Sequence, residues 1–199
     1  MYFSHADILN LDRRYRVALI NGLAGFRSVV LVGTANQAGQ TNLALFNSAL
    51  HIGANPPLMG VLLRPEAANQ HTRANILSQR VFTLNAVPSA HVGRAHQASS
   101  KYPAEVSEFD ACSFTPVYFD DFAAPAVAES PVRIGLAVEE TVDLSINGTT
   151  LVIGSVQHVD VADDVLQADG HLRPDLADLI CCAGLDTYFR PAFLCRETS

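Results

Sequence analysis

Charge is scarce in this 199-residue chain: 17% of its residues are charged, against about 25% in an ordinary globular domain. From Ser28 to Leu63, thirty-six consecutive residues include no aspartate, glutamate, lysine or arginine. Nucleic acids and anionic membranes need a concentrated basic face. Here 13 basic residues stand against 20 acidic ones, a formal charge of −7, and Arg13, Arg14, Arg16, Arg27, Arg64, Arg73 and Arg80 are scattered. Neither partner is expected, although a local anion site stays open. Paired C-x-x-C spacing is missing too: Cys112, Cys181, Cys182 and Cys195 read as reduced thiols of a cytoplasmic protein rather than a disulfide or metal framework. The start, MYFSHADILNLDRRYR, lacks the basic segment and apolar run of a signal peptide. The uncharged stretch is no membrane span either, because Asn36, Gln37, Gln40, Asn42, Asn47, Asn55 and the Pro56–Pro57 pair interrupt it.

Sequence signatures of resident chemistry are equally absent. The chain has neither G-x-x-x-x-G-K-[ST] nor G-x-G-x-x-G, and its seven histidines form no H-x-x-x-H or H-E-x-x-H, so phosphate loops, dinucleotide fingerprints and zinc helices are not expected. No G-x-S-x-G elbow occurs, Ser155 falls inside a strand pattern, and Asp120–Asp121 and Asp163–Asp164 read as solvated turns. An enzyme built on these residues has its reactive group brought in.

What the chain does contain is strand after strand. SVVLVG (28–33), LMGVLL (58–63), VFTLNAV (81–87), VRIGLAVEETVDL (132–144) and TTLVIGSVQHVDVAD (149–163) are rich in branched apolar residues and bounded by turn formers. Asn147–Gly148 suits a tight hairpin turn, which makes the last two strands antiparallel neighbours. Helix signals are few: TRANILSQR (72–80) with Thr72 as N-cap, HVGRAHQASSKY (91–102), and PDLADLICCAG (174–184) opened by Pro174 and closed by Gly184. The length suits one core, so the expectation is a single domain over 1–199: a mainly β, antiparallel barrel with a few peripheral helices.

Two polar groupings stand out. Thr72, Arg73 and Asn75 at a helix start offer a hydroxyl, a cation and free backbone N–H groups to an anion; an ordinary cap with a solvated arginine is the alternative. In TNLALFNSALHIGANPP (41–57), Asn42, Asn47, Ser48, His51 and Asn55 intrude among apolar residues without a period of two. Their amides need partners, which either an irregular self-satisfied loop or the edge of a flat heterocycle provides.

In order along the chain, SVVLVGTANQAGQTNLALFNSALHIGANPPLMGVLLRP, HTRANI, VFTLNAV, SSKYPAEVSEFDACSFTPV, AESPVRI, LVIGSVQHVDV and AGLDTYFRP resemble the flavin reductase-like family of FMN-binding split barrels. The resemblance covers most of residues 28–191 and implies a split β-barrel, antiparallel and Greek-key-like. It also implies a homodimer with FMN, or FAD, held near the interface and reduced by NADH or NADPH. It places Asn42, Leu43 and Ala44 beside the flavin ring, continued by Asn47 and Ser48. Thr72 and Asn75 fall at the phosphate, with Arg64 and Arg73 as charge partners, and His158, Tyr188 and Phe189 fall where some members approach the flavin. Leu45 stands where many members have proline and Asn47 where many have serine; the chain follows the branch with FNS-x-x-H-x-G-x-NPP and HT-x-x-NI. Two functions are compatible with the resemblance: a nicotinamide-dependent flavin reductase, serving a monooxygenase or electron-transfer partner, or an FMN-holding electron carrier reduced by another protein. A third reading, a barrel with no working flavin site, is compatible with the residues alone.

Overall fold

Every residue from Val30 to Ala35 is buried, which requires cover on both faces of that strand and accounts for the lack of charge there. The computed structural model describes residues 1–65 and 70–197, with Gln70 described by its backbone. Helices α1 (His5–Asn10) and α2 (Arg13–Leu23) lead into β1 (Arg27–Ser28), β2 (Val30–Ala35), β3 (Thr41–Phe46), β4 (Ala49–Ala54) and β5 (Pro57–Leu63). Next come α3 (Gln70–Gln79), β6 (Val81–Ala86), α4 (Val92–Gln97), α5 (Glu108–Ala111) and the short β7 (Pro116–Val117) and β8 (Ala126–Val127). The 13-residue strands β9 (Val132–Leu144) and β10 (Thr149–Val161) follow, then β11 (Cys181–Ala183) and β12 (Thr187–Phe189).

Seven strands pair antiparallel in the order β3-β2-β6-β9-β10-β5-β4. The two outermost strands are consecutive in the chain, separated by Asn47 and Ser48 alone. A flat sheet of this order would set its edges about 29 Å apart at about 4.8 Å per strand, whereas the link from Phe46 to Ala49 spans at most about 11 Å. The sheet must therefore curl until its edges meet, and the fold is a mainly β barrel closed by its own chain.

Alternation along β2 and β3 sorts side chains between two cores. Val30, Val32, Ala44 and Phe46 meet Val61, Leu63, Phe82, Leu84, Leu136 and Val152, drawn from strands around the barrel, with Ile76 of α3. Val29, Leu31 and Leu43 face the other way, onto Ala95, Phe109, Cys112, Phe114, Ile180 and Cys182. That second core lies under α4, α5 and β11, and each fully buried large side chain contributes about 1.5–3 kcal/mol.

Several expectations are corrected. The helix expected over 174–184 is absent: Leu179 bridges to Pro88, Ile180 N–H donates to the Val87 carbonyl at 3.0 Å, and Cys181 and Cys182 pair with Ser28 and Arg27. Pairing with a neighbouring strand overrides local helix propensity there, and Gly184, at φ +75°, makes a hairpin turn instead of a helix cap. The helix expected over 91–102 is the shorter α4, preceded by a 3₁₀ turn at Ser89–His91. α3 begins by Gln70, so Thr72 lies inside it and is not its N-cap. β9 and β10 are neighbours as expected, but their loop is four residues, Ser145–Gly148, in which only Gly148 has positive φ. α1 and α2 were not anticipated, although Ser4 and Asp12 cap them and Ser4 with Asp7 forms a capping box.

Candidate functional site

Where the barrel closes, a cleft of about 550 Å³ opens between the β3–β4 link, the end of β5, the end of α4 and the β11–β12 hairpin. Its walls are largely apolar, from Val29, Leu45, Phe46, Leu62 and Leu185, with Asn47, Ser48, Arg64, His96, Asp186 and Tyr188 supplying polar groups. That size and mixture match a small-molecule site, whose volume runs from about 300 to 1,000 Å³.

β3 is the outermost strand on its side, so alternate N–H groups point away from β2. Leu43 uses its outward N–H to donate to Glu108 Oε2 at 3.1 Å, and Glu108 is only 6% exposed. Two residues on, Leu45 lines the cleft with its N–H on the same free edge. Asn47 follows; its Nδ2 donates to the Gly184 carbonyl at 3.1 Å and lies 3.9 Å from Cys182 Sγ. Asn47 Oδ1 has no partner among the described residues and is not among the buried unpaired atoms, so it can accept. Ser48 Oγ donates to the Leu62 carbonyl at 3.0 Å, fixing the link to β5. Arg64, exposed, donates to Asn21 Oδ1 of α2 at 3.1 Å. Tyr188 Oη and His96 Nδ1 are 2.7 Å apart with their rings edge to face at 5.8 Å. Burial first, and then the electrostatic influence of Cys182 and Asp186, pushes the Tyr188 phenol up to about 12.

Four of the residues named from the sequence, Asn47, Ser48, Arg64 and Tyr188, therefore line one cleft. The others do not line it. Asn42 Nδ2 donates to Thr72 Oγ1 at 2.9 Å and to Thr34 Oγ1 at 3.1 Å, and Asn75 Nδ2 donates to the same Thr34 Oγ1 at 3.2 Å. All four are buried, Thr72 to 1% exposure, and together they fasten α3 to β2 and β3. Leu43 and Ala44 send their side chains into the two cores. Arg73 donates to Thr150 Oγ1, which donates to Asp143. His158 stacks on Phe119 at 5.0 Å and meets Phe122 edge-on, while Phe189 packs against Phe26 at 4.9 Å. His96, Ser99, Cys182, Leu185 and Asp186 were not foreseen as lining residues, since Gly184 beside them was read as a helix end. A second cleft, about 600 Å³, lies between Arg13, Arg14, Val17, Ala18 and Gly22 of α2 and the Ala183–Thr187 turn, sharing Leu185 and Asp186 with the first.

A closed antiparallel barrel with an apolar, sparsely polar cleft at its seam defines a class of small-molecule-binding barrels. Within that class, the model of the flavin reductase like domain matches residues 23–176, and the chain belongs to this family. It is similar to a split-barrel protein from Shewanella frigidimarina assigned as a flavin reductase, 40% identical with a TM-score of 0.96 over 100% of this chain and 99% of that one. An uncharacterised protein of Halalkalibacterium halodurans is 29% identical over 167 residues, 81% of this chain and 80% of its own. The nitrilotriacetate monooxygenase component B of Bacillus cereus shares the fold, with a TM-score of 0.87 at 19% identity over 99% of this chain and 98% of that one. No helix among the described residues is long and apolar enough to cross a membrane.

Proposed function

We propose that the protein binds FMN in the cleft at the barrel seam, with FAD as the larger alternative, and reduces it with NADH or NADPH. The observation that carries this reading is one cleft, in a flavin reductase-like chain, joining the free β3 edge at Leu45, the open Oδ1 of Asn47 and Arg64 between apolar walls. These groups fit the cofactor part by part. The Leu45 N–H and the Asn47 amide match the acceptor and donor edge of the ring, the apolar walls match its hydrocarbon end, and Arg64 matches a phosphate. Bound flavin supplies two-electron chemistry that no side-chain constellation here offers.

The chain's own part is to hold and shield. Leu45 N–H orients the ring edge, Val29, Phe46, Leu62 and Leu185 exclude water, and Arg64 exchanges Asn21 for the phosphate. Thr72 and Asn75 serve the site by anchoring α3 to β3 and β2, with Arg73 on the outer face of that helix. The adjoining cleft, with Arg13 and Arg14 at one side, suits a reduced nicotinamide nucleotide. A second copy of the chain completes the assembly, because α1 and α2 bury no residue and leave Tyr15, Val17, Ile20 and Leu23 41–71% exposed. Light scattering is expected to give a dimer. The four free cysteines accord with the cytoplasm, where reduced nicotinamide and a flavin-consuming monooxygenase or electron-transfer partner meet.

The test is the visible spectrum of the FMN-loaded protein under nitrogen. Its flavin absorbance is expected to bleach on addition of NADH or NADPH. Failure with both nucleotides and both flavins overturns the reductase reading. Bleaching only through a reduced partner protein makes the chain an electron carrier, and no quenching of FMN fluorescence on mixing removes flavin from the account.

A further inference from the structure

Tyr188 and His96 are the pair in the cleft that the flavin reading leaves without a task. Tyr188 comes from β12 and His96 from α4, so two separate elements have been brought to a 2.7 Å contact at the cleft wall. His96 is exposed while Tyr188 is half-buried, which orders the two from solvent inward. In the tautomer that carries its proton on Nδ1, His96 donates to Tyr188 Oη, which leaves the phenolic O–H for a molecule in the cleft and His96 Nε2 for exchange with solvent.

The geometry points to Tyr188, positioned by His96, as hydrogen-bond and proton donor to a para-quinone bound in the cleft, giving the protein a quinone reductase activity besides flavin reduction. This rests on the reading that the cleft holds flavin. The step balances as follows. The quinone takes a hydride, two electrons and one proton, from reduced flavin at one oxygen, and its other oxygen takes the proton of Tyr188 Oη. The product is the hydroquinone. Tyr188 Oη regains a proton from His96 Nδ1, and His96 takes one from water at Nε2. Around the phenol, Cys182, Asp186 and Arg64 are the other polar or ionisable residues of the cleft wall, and His96 makes the hydrogen bond.

Two measurements on the full-length protein test this. In the first, 4-dimethylaminobenzaldehyde, whose absorbance moves to longer wavelength when its carbonyl accepts a hydrogen bond, is added without flavin. A red shift is expected with the unchanged protein and with His96→Gln, and none with Tyr188→Phe; an undiminished shift in Tyr188→Phe overturns the proposal. In the second, FMN-loaded protein is reduced with dithionite and mixed with duroquinone, which carries no site for thiol addition, or with ferricyanide, which takes electrons without a proton. Tyr188→Phe is expected to slow duroquinone about a hundredfold, the size of a general-acid contribution, and to leave ferricyanide unchanged. His96→Gln is expected to slow duroquinone less, with recovery on adding imidazole. Equal slowing of both acceptors by Tyr188→Phe makes the residue structural and overturns the proposal. Dithionite keeps this result separate from nicotinamide use: failure to bleach with NADH or NADPH sinks the reductase reading alone, whereas absence of FMN uptake overturns both.

Discussion

The cleft at the barrel seam and the buried cluster beneath α3 are made of the same kinds of residue, yet they differ in one physical respect. In the cluster, Thr34, Asn42, Thr72 and Asn75 are all buried and hydrogen-bond one another. In the cleft, Asn47 is only half-buried and lines the opening while its Nδ2 donates to Gly184, and the outward edge of β3, capped by Glu108 at Leu43, opens again at Leu45. β3 links both regions, so four residues separate an asparagine that builds the protein from one that can receive a ligand. A polar residue among apolar ones is a ligand group only where packing leaves it on the wall of a cavity with bonding capacity to spare.

Substitutions can break that contrast. The largest effect is expected for Asn42→Ala, which removes the donor to Thr72 and one of the two to Thr34; a buried partner left unpaired costs about 1–3 kcal/mol. Each kcal/mol lowers Tm by about 2–4 °C at this chain length, so thermal unfolding reads it directly. FMN and riboflavin affinity should fall alike. Thr72→Ala combined with Asn75→Ala sharpens the point, since these residues are buried and the same equal loss is expected. A loss confined to FMN would instead bring α3 side chains to the phosphate.

Arg64→Ala should do the opposite: FMN affinity about tenfold weaker, the effect of losing one charge-assisted bond, with riboflavin affinity and the Tm of the flavin-free protein unchanged. Fluorescence quenching titrations with the two flavins check it. Asn47→Ala is expected to weaken both flavins by about fivefold, one net hydrogen bond, because it meets the ring and not the phosphate. The smallest effect belongs to a residue in neither region. Hydrogen bonds from Arg196 and the His171 backbone hold the Asp169 carboxyl at about 2, below its ordinary 3.8. A depressed folded value means that Asp169 adds stability above pH 3.8 and loses it as pH falls through about 2. Asp169→Asn should therefore flatten the acid limb of an unfolding titration slightly, and less at high salt because the pair is exposed.

The barrel strands were legible in the sequence because their apolar runs are long and bounded by turn residues; β9 has the limits that VRIGLAVEETVDL suggested. The end of the chain was not. PDLADLICCAG carries helical spacing, but Val87, Arg27 and Ser28 have backbone groups that pair with it, and such partners are invisible in a local window. Of the site, Asn47 and Ser48 could be named because polar groups in an uncharged stretch are conspicuous, whereas Arg64 and Tyr188 were named only through the family resemblance. Leu45 contributes its backbone N–H, which no residue type advertises, and His96 reaches Tyr188 across ninety-two positions. The burial of Thr72 and Asn75 was likewise out of reach, since whether an amide faces a ligand or its own neighbours is decided by tertiary packing.

Asn47 and Ser48 join the two outermost strands of the sheet, and the cleft is built on that join. A molecule that settles there fastens a clasp: by holding Asn47 against Gly184 and the β3 edge in register, it resists the separation of the two ends of the barrel. Occupancy and mechanical integrity become the same variable. Amide hydrogens of β3, β4 and β5 should thus exchange more slowly once the cleft is filled, and the barrel itself reports what is bound at its seam.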